Sequence, residues 1–280
     1  MNPNYPVYII SKGRFKNPLT AKALDKINVP YKIVVEPNEY KDYANTINKE
    51  KIIKLDNNFS KIGQGSIPVR NFVWEHSINA GFKRHWILDD NIEQFNRLNN
   101  NLQVCVASGT IFKCAEDFVD RYENIGLAGF QYDFFAKAKT ILPPFYLNTR
   151  IYSCILIKND IPFRWRGKYN EDTDLSLRVL KAGLVTILFI AFIQQKVQTM
   201  KMGGGNEDIY SETNNRSEFV DSLIEQHPDV VRKTFKFGRW HHQVNYSKFK
   251  RNRLVRKDIN FPTGINNYGM KLIDLTPKGE

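Results

Sequence analysis

Cysteine is scarce in this chain of 280 residues: there are three, Cys105, Cys114 and Cys154. So low and odd a number excludes a disulfide framework, and no two stand as Cys-x-x-Cys, which argues against a zinc knuckle. Reduced, buried thiols are expected. Long hydrophobic runs are also missing. The longest, Leu184 to Ile193, covers ten residues and is broken by Thr186. A membrane span needs about 20, so this stretch reads as a buried strand. Residues 1–6 lack the basic and apolar regions of a signal peptide. A cytoplasmic protein without membrane association is expected. Internal repeats and low-complexity segments are absent as well.

The most informative absence is that of acid. From Arg232 to Lys257 there is no Asp or Glu, against ten Lys and Arg. Those ten account for all but two of the formal net charge of +12, so the basicity is local. Phe235, Phe237, Trp240, Tyr246 and Phe249 are interleaved with it. Cations neutralise phosphates and flat rings stack on bases, which makes the segment a candidate nucleic-acid surface, with Lys248, Lys250, Arg251 and Arg253 as contact residues. A solvated face without a partner and an anionic membrane surface are the competing readings.

Hydrophobic residues, at 42%, suffice for a sizeable core. The first hundred residues alternate strand and helix patterns: strands at 6–10, 31–35, 52–55 and 85–88, and helices opening at Thr20 and Pro68. The expected fold is α/β, with a doubly wound, mostly parallel sheet. Ligands bind such sheets at the carboxyl ends of the strands, here the turns after Ile10, Val35 and Leu88. The second half is mixed. Helices are expected at 115–122, 172–182 and 217–226, strands at 127–132 and 150–157, and a glycine-rich loop at Met202–Asn206.

Two acidic constellations carry possible chemistry. Trp86-Ile-Leu-Asp89-Asp90-Asn91 sets three oxygen-bearing side chains at a strand end. Hard divalent cations are held by one or two carboxylates together with substrate phosphates; a plain turn is the bland alternative. Tyr169-Asn-Glu171-Asp172-Thr-Asp174 opens a helix. Acids stabilise helix N-termini without further function, but a carboxylate facing a cleft is also a general base. In Trp240-His241-His242, neighbouring side chains point different ways, so at most one meets a metal; His241 is the candidate. Gly203-Gly-Gly205 lets a backbone approach a ligand, yet no Gly-Lys-Ser/Thr of a phosphate loop follows.

These pieces, in this order, resemble the GT-A nucleotide-sugar glycosyltransferases. The closer resemblance is to the phage TET-associated glycosyltransferases, which decorate 5-hydroxymethylpyrimidines in DNA. It rests on Val7-Tyr-Ile-Ile-Ser-Lys-Gly-Arg14, Val34-Val-Glu36-Pro, Arg70-Asn71, Ile87-Leu-Asp-Asp-Asn91, Asn170-Glu-Asp172 and the glycine loop, and spans about residues 5–206. The resemblance implies a nucleotide-sugar-binding half at 1–100 and an acceptor and catalytic half at 101–227. A basic C-terminal segment at 228–280 follows, contacting DNA. Ser11 and Arg14 would line the nucleotide pocket, Glu36 would meet the base or ribose, and Arg70 the phosphates or ribose. Asp89 would contact ribose or metal, and Asp90 and Asn91 would hold Mn²⁺ or Mg²⁺. Asn91 stands where the motif's last Asp is usual; its amide oxygen ligates without charge, which shifts the load to Asp90. Asp172 would be the catalytic base, with Glu171 beside it or on the sugar. The donor implied is a UDP-sugar and the acceptor hydroxymethylated DNA, with 5-hydroxymethylcytosine favoured. The protein would act as a monomer in the infected cell's cytoplasm. Trp165, Tyr169 or Trp240 would replace the stacking lost by an extruded base. A GT-A enzyme acting on a protein or glycan, a metal-dependent nuclease and a non-catalytic DNA-binding module are the rival readings.

Overall fold

Alternation within the first strand decides the architecture. Val7 and Ile9 join one buried cluster, Tyr8 and Ile10 another. A strand buried on both sides needs helices over both faces of its sheet. The computed structural model describes residues 1–137, 142–197, 217–257, 264–266 and 268–273. Strand β1 (Val7–Ile10) is followed by α1 (Leu19–Lys26), β2 (Lys32–Val35), α2 (Tyr40–Ala44), β3 (Ile52–Lys54), α3 (Ile67–Asn79) and β4 (Arg84–Asp89). Then come the hairpin β5 (Ile92–Asn99) and β6 (Leu102–Cys105), α4 (Thr110–Val119), β7 (Ile125–Tyr132), β8 (Phe145–Leu147), β9 (Cys154–Lys158), α5 (Glu171–Lys181) and β10 (Val185–Lys196). Beyond these lie α6 (Ser217–Gln226) and the hairpin β11 (Val231–Lys236) and β12 (Arg239–Val244).

Ten strands form one sheet in the order β3-β2-β1-β4-β9-β7-β10-β5-β6, with β8 also on β10. Seven of them, β1 to β4, β6, β7 and β10, run in one direction. The sheet is thus mostly parallel and the fold is GT-A-like, as the alternating pattern implied. One face is covered by α1 and α4, where Trp86, Phe112 and Phe130 meet at ring distances of 5.0–5.1 Å. The other face is covered by α3 and α5 through Val73, Trp74, Leu175 and Val179.

Helix α5 is buried on a second side too. Leu177 and Leu180 pack with Leu223 of α6 and with Val230, Val231 and Phe249. The basic C-terminal segment therefore shares a core with α5. Its hairpin turns at Phe237 and Gly238, both at positive φ (53° and 72°), the requirement of a two-residue turn whose twist matches the strands. Asn124 and Asn148 fasten the segment further, donating to the Arg253, Phe249 and Asn252 carbonyls.

Several sequence expectations shift. The helix expected at 115–122 begins five residues earlier, at Thr110, because Ile111 and Phe112 belong to its buried face. The strand expected from Arg150 begins at Cys154, after Ser153 takes a left-handed backbone at φ 64°. The β5–β6 hairpin was not legible; a polar residue, Asn96, is buried in it. Cys154 is buried, but Cys114 is half-buried and Cys105 exposed, so the thiols are not uniformly interior. The Gly203–Gly205 loop lies outside the described residues. Among these, no helix is long and apolar enough to cross a membrane.

Candidate active site

The carboxyl ends of β1, β2 and β4 lie side by side, since parallel pairing puts Ile10 opposite both Val34 and Asp89. Ser11 leaves β1, Glu36 leaves β2, and Asp90-Asn91 turns out of β4. The Ser11 hydroxyl donates to Asp90 Oδ2 at 2.7 Å, and the Arg14 guanidinium pairs with Asp90 Oδ1. Tyr43 of α2 braces both, its hydroxyl 2.6 Å from Ser11 Oγ and accepting from the Arg14 amide at 3.1 Å. Burial pushes the Asp90 carboxyl up to about 6, with Arg14 and Ser11 pulling against it. Glu36 is buried. Its neighbour Glu39 accepts from the Gly13 amide at 2.8 Å, and its carboxyl is raised by burial and further by Glu36.

Arg70 joins the two acidic motifs. It lies one turn into α3, where Pro68 fits the missing amide of a first turn. Its Nη2 donates to Asp89 Oδ1 at 3.1 Å and lies 3.6 Å from Glu171 Oε1; its Nη1 lies 3.8 Å from Asp172 Oδ1. Its Nε donates to Ser66 Oγ at 3.0 Å, and the guanidinium rests 4.7 Å from the centre of the Trp165 ring. Burial works against this charge, and the three carboxylates hold it in place. Asp89 feels burial in the opposite sense, but Lys196, at 3.5 Å, and Arg70 reverse it and keep the carboxyl below its ordinary value. Lys196 arrives because β10 bulges between Phe189 and Ile193 and then continues along β5.

Asp172 differs from its neighbours. Its Oδ1 is buried without a hydrogen-bond partner, while the side chain as a whole remains 20% exposed. Burial pushes the carboxyl up to about 7; Glu171 and Asp89 add to the rise, and Arg70 and Arg150 oppose it. A carboxylate with such a value takes up a proton readily near neutral pH. Asp174, two residues on, is fully engaged elsewhere: it binds Arg166, Arg178 and His227 and is 1% exposed. It ties α5 to α6 and faces no cleft.

Other expected residues fall elsewhere. Trp165 is buried under Arg70 and against Trp74, and Tyr169 is packed on Phe219 with ring centres 4.0 Å apart. Neither has a face free for a base, because both were needed to fill the space between α3, α5 and α6. Trp240 packs on Phe235 beneath Lys233. His241 lies on β12, its ring against the Lys236 carbonyl, Arg239 and Phe237. None of these partners is an acid of the cleft. Lys248, Lys250, Arg251 and Arg253 are all exposed, with the Lys248 ammonium donating to the Asp229 carbonyl at 2.6 Å. Arg150 was missed from sequence. Its charge acts on Asp172, and also on His242 and Tyr246 of the basic segment.

Among the described residues no three His, Cys, Asp or Glu side chains converge as a ready-made metal cage. One observation bears on a cation shared with a substrate. Asn91 Nδ2 donates to the Val197 carbonyl at 3.0 Å, and its Oδ1 is left buried with no hydrogen-bond partner. That orphaned acceptor stands next in the chain to the Asp90 carboxylate. Two oxygen donors of this kind suit Mg²⁺ or Mn²⁺ completed by phosphate oxygens.

A mostly parallel sheet with buried acids and arginines gathered at the ends of β1 and β4, and a helix-borne carboxylate facing them, defines the class of GT-A-like transferases. Residues 5–205 match the TET-associated glycosyltransferase family, and the chain belongs to it. It is a glycosyltransferase. Among curated proteins none matches the chain. The basic hairpin lies beyond the matched region.

Proposed function

We propose that the protein transfers a sugar from a nucleotide sugar, UDP-linked, to the hydroxymethyl group of a 5-hydroxymethylpyrimidine in DNA. The observation that carries the reading is the Arg70 guanidinium holding Asp89 at the strand end together with Glu171 and Asp172 of α5. It sets a proton acceptor beside the place where a parallel sheet binds nucleotides. The DNA acceptor is supported by the exposed, acid-free hairpin region that shares a core with α5.

In this reading Ser11, Arg14 and Glu36 bind the nucleoside. The hydroxymethyl oxygen attacks the anomeric carbon as the bond to the diphosphate oxygen breaks. Its proton passes to Asp172, and the electron pair leaves with the diphosphate. Arg70 and Lys196 lie where that negative charge grows, and fixed charges in a buried site cost little reorganisation. A divalent cation held by Asp90 and Asn91 Oδ1 supplies further neutralisation when bound. A carboxylate base serves a single displacement, with inversion at the sugar. The test is mass spectrometry of the nucleosides of hydroxymethylated DNA after incubation with a panel of nucleotide sugars and Mn²⁺. A hexosyl or pentosyl mass increment on the modified base is expected. Transfer only to protein or glycan, or nicking of plain duplex, would overturn the reading.

A further inference from the structure

Of the rings first expected to hold an extruded base, Trp165 and Tyr169 are consumed by the core, yet another set is exposed at the end of β7. Tyr132 closes that strand, and a single helical turn, Asp133–Phe135, follows it. Phe134 and Phe135 are 55% and 52% exposed. Phe134 stacks on Tyr132 with ring centres 6.2 Å apart and planes at 26°, and Phe135 meets it edge-on at 5.3 Å. The turn is held from β6, where Gln103 Nε2 donates to the Asp133 and Ala136 carbonyls at 3.1 and 3.0 Å. Contiguous exposed rings on a braced turn mark a contact surface, whereas single exposed ones do not.

The rings are continuous with the catalytic centre. Tyr152 donates to Gln131 Oε1 at 3.1 Å, and the same oxygen accepts from the Tyr132 amide at 2.9 Å. Arg150 lies over the Tyr152 ring at 4.6 Å and lowers the Asp172 carboxyl. On the inner side, Lys196 lies 5.8 Å from the centre of the Tyr132 ring and 3.5 Å from Asp89. On the outer side, Lys137 is 5.8 Å from the Phe134 ring. Asp133 is the one acid within the turn. The series thus alternates flat faces with cations, from Asp172 outward past the basic segment that Arg150 also touches. An apolar protein partner does not call for that alternation; a polyanion with flat faces does.

We propose that Tyr132, Phe134 and Phe135 form a stacking platform for unpaired bases flanking the modified pyrimidine, with Arg150 and Tyr152 as positioning residues that lead the strand to Asp172. The substrate form is then single-stranded or locally opened DNA. The proposal rests on the nucleic-acid reading above. Its test does not need sugar transfer.

The experiment is fluorescence anisotropy with unmodified pyrimidine-rich single strands and their duplexes, on the full chain and on a Phe134→Ala, Phe135→Ala double variant. The wild type should bind single strand more tightly than duplex at equal salt. Stacking is worth about 1–3 kcal/mol per base, so the variant should lose tenfold or more on single strand and little on duplex. Phe134→Trp with Phe135→Trp should restore binding. Both native rings are half-exposed, so the thermal midpoint should barely move. Unchanged single-strand affinity in the alanine variant would overturn the platform, as would a concentration-dependent dimer abolished by the same substitutions. If the wild type binds single strand as expected but transfers no sugar to hydroxymethylated DNA, the platform stands and the catalytic reading fails.

Discussion

The chemistry turns on how one environment sets several carboxylates apart. Asp89, Asp90, Glu171 and Asp172 are drawn together by Arg14, Arg70 and Lys196, yet only Asp172 combines a value near 7 with a partly exposed side chain. Asp172→Asn keeps the shape and cannot take a proton. Turnover should fall by about 10²–10⁴, the usual share of a general base, with nucleotide affinity by calorimetry little changed. A fall of less than about tenfold would move the base to Glu171. In the wild type the rate should rise with pH through about 7, as the carboxyl ionises, and the variant's residual rate should lack that limb. The linkage to stability has the opposite sense. A raised carboxyl favours the fold below its unfolded value of about 4, and this contribution is lost as pH rises through about 7. Denaturant titrations of wild type and Asp172→Asn between these pH values read the difference. Asp174→Asn is the contrasting case: it leaves the buried His227 and the half-buried Arg178 without their charged partner. Breaking a buried charge network costs about 3–5 kcal/mol, so the midpoint of unfolding should drop while turnover per folded molecule is kept.

At the scale of elements, each acidic motif is presented by a strand end or a helix start. Strand β4 ends at Asp89 because the chain must turn there, and helix α5 begins at Glu171 after Asn170 adopts a left-handed backbone at φ 55°. The β11–β12 hairpin and the turn after it present cations without acids. Neutralising Lys248, Lys250, Arg251 and Arg253 together should weaken DNA binding and flatten its salt dependence. Each lost phosphate contact changes the log–log slope by about 0.7 on single strands and 0.9 on duplex. Four lost contacts amount to about 3 to 4. Donor affinity should not change, since the proposed nucleotide residues lie at the ends of β1, β2 and β4. An unaltered slope would leave the hairpin as a solvated face.

At the scale of the whole molecule, α5 joins the central sheet to the basic segment. Its one side closes the sheet, and its other side carries the core shared with α6 and the basic segment. Leu223→Ala removes a fully buried side chain from that smaller core. A cost of about 2–5 kcal/mol is expected, concentrated on α6 and the hairpin. Hydrogen exchange should quicken there and leave β1, β4 and β7 protected. DNA affinity should fall more than nucleotide affinity. Equal loss of both would mean that the segment and the sheet unfold as one unit.

Sequence alone determined the alternation of strands and helices through residue 88, the placement of Asp89 and Asp90 at a strand end, and the acid-free basic run. Local periodicity and turn chemistry act over a few residues, and such features are read directly from them. Asp89, Glu171 and Asp172 were singled out in this way, whereas Ser11, Arg14 and Arg70 followed from the resemblance to the family. Tertiary structure decided which of them meet. That Arg70 binds acids about twenty and one hundred residues distant, that Asp174 is a buried strut while Asp172 stays partly exposed, and that Trp165 and Tyr169 are core, depend on how α3, α5 and α6 pack. Arg150, Lys196 and the rings of Tyr132, Phe134 and Phe135 gave no motif, because their importance lies in a bulge, a left-handed turn and a sheet order that no local pattern encodes.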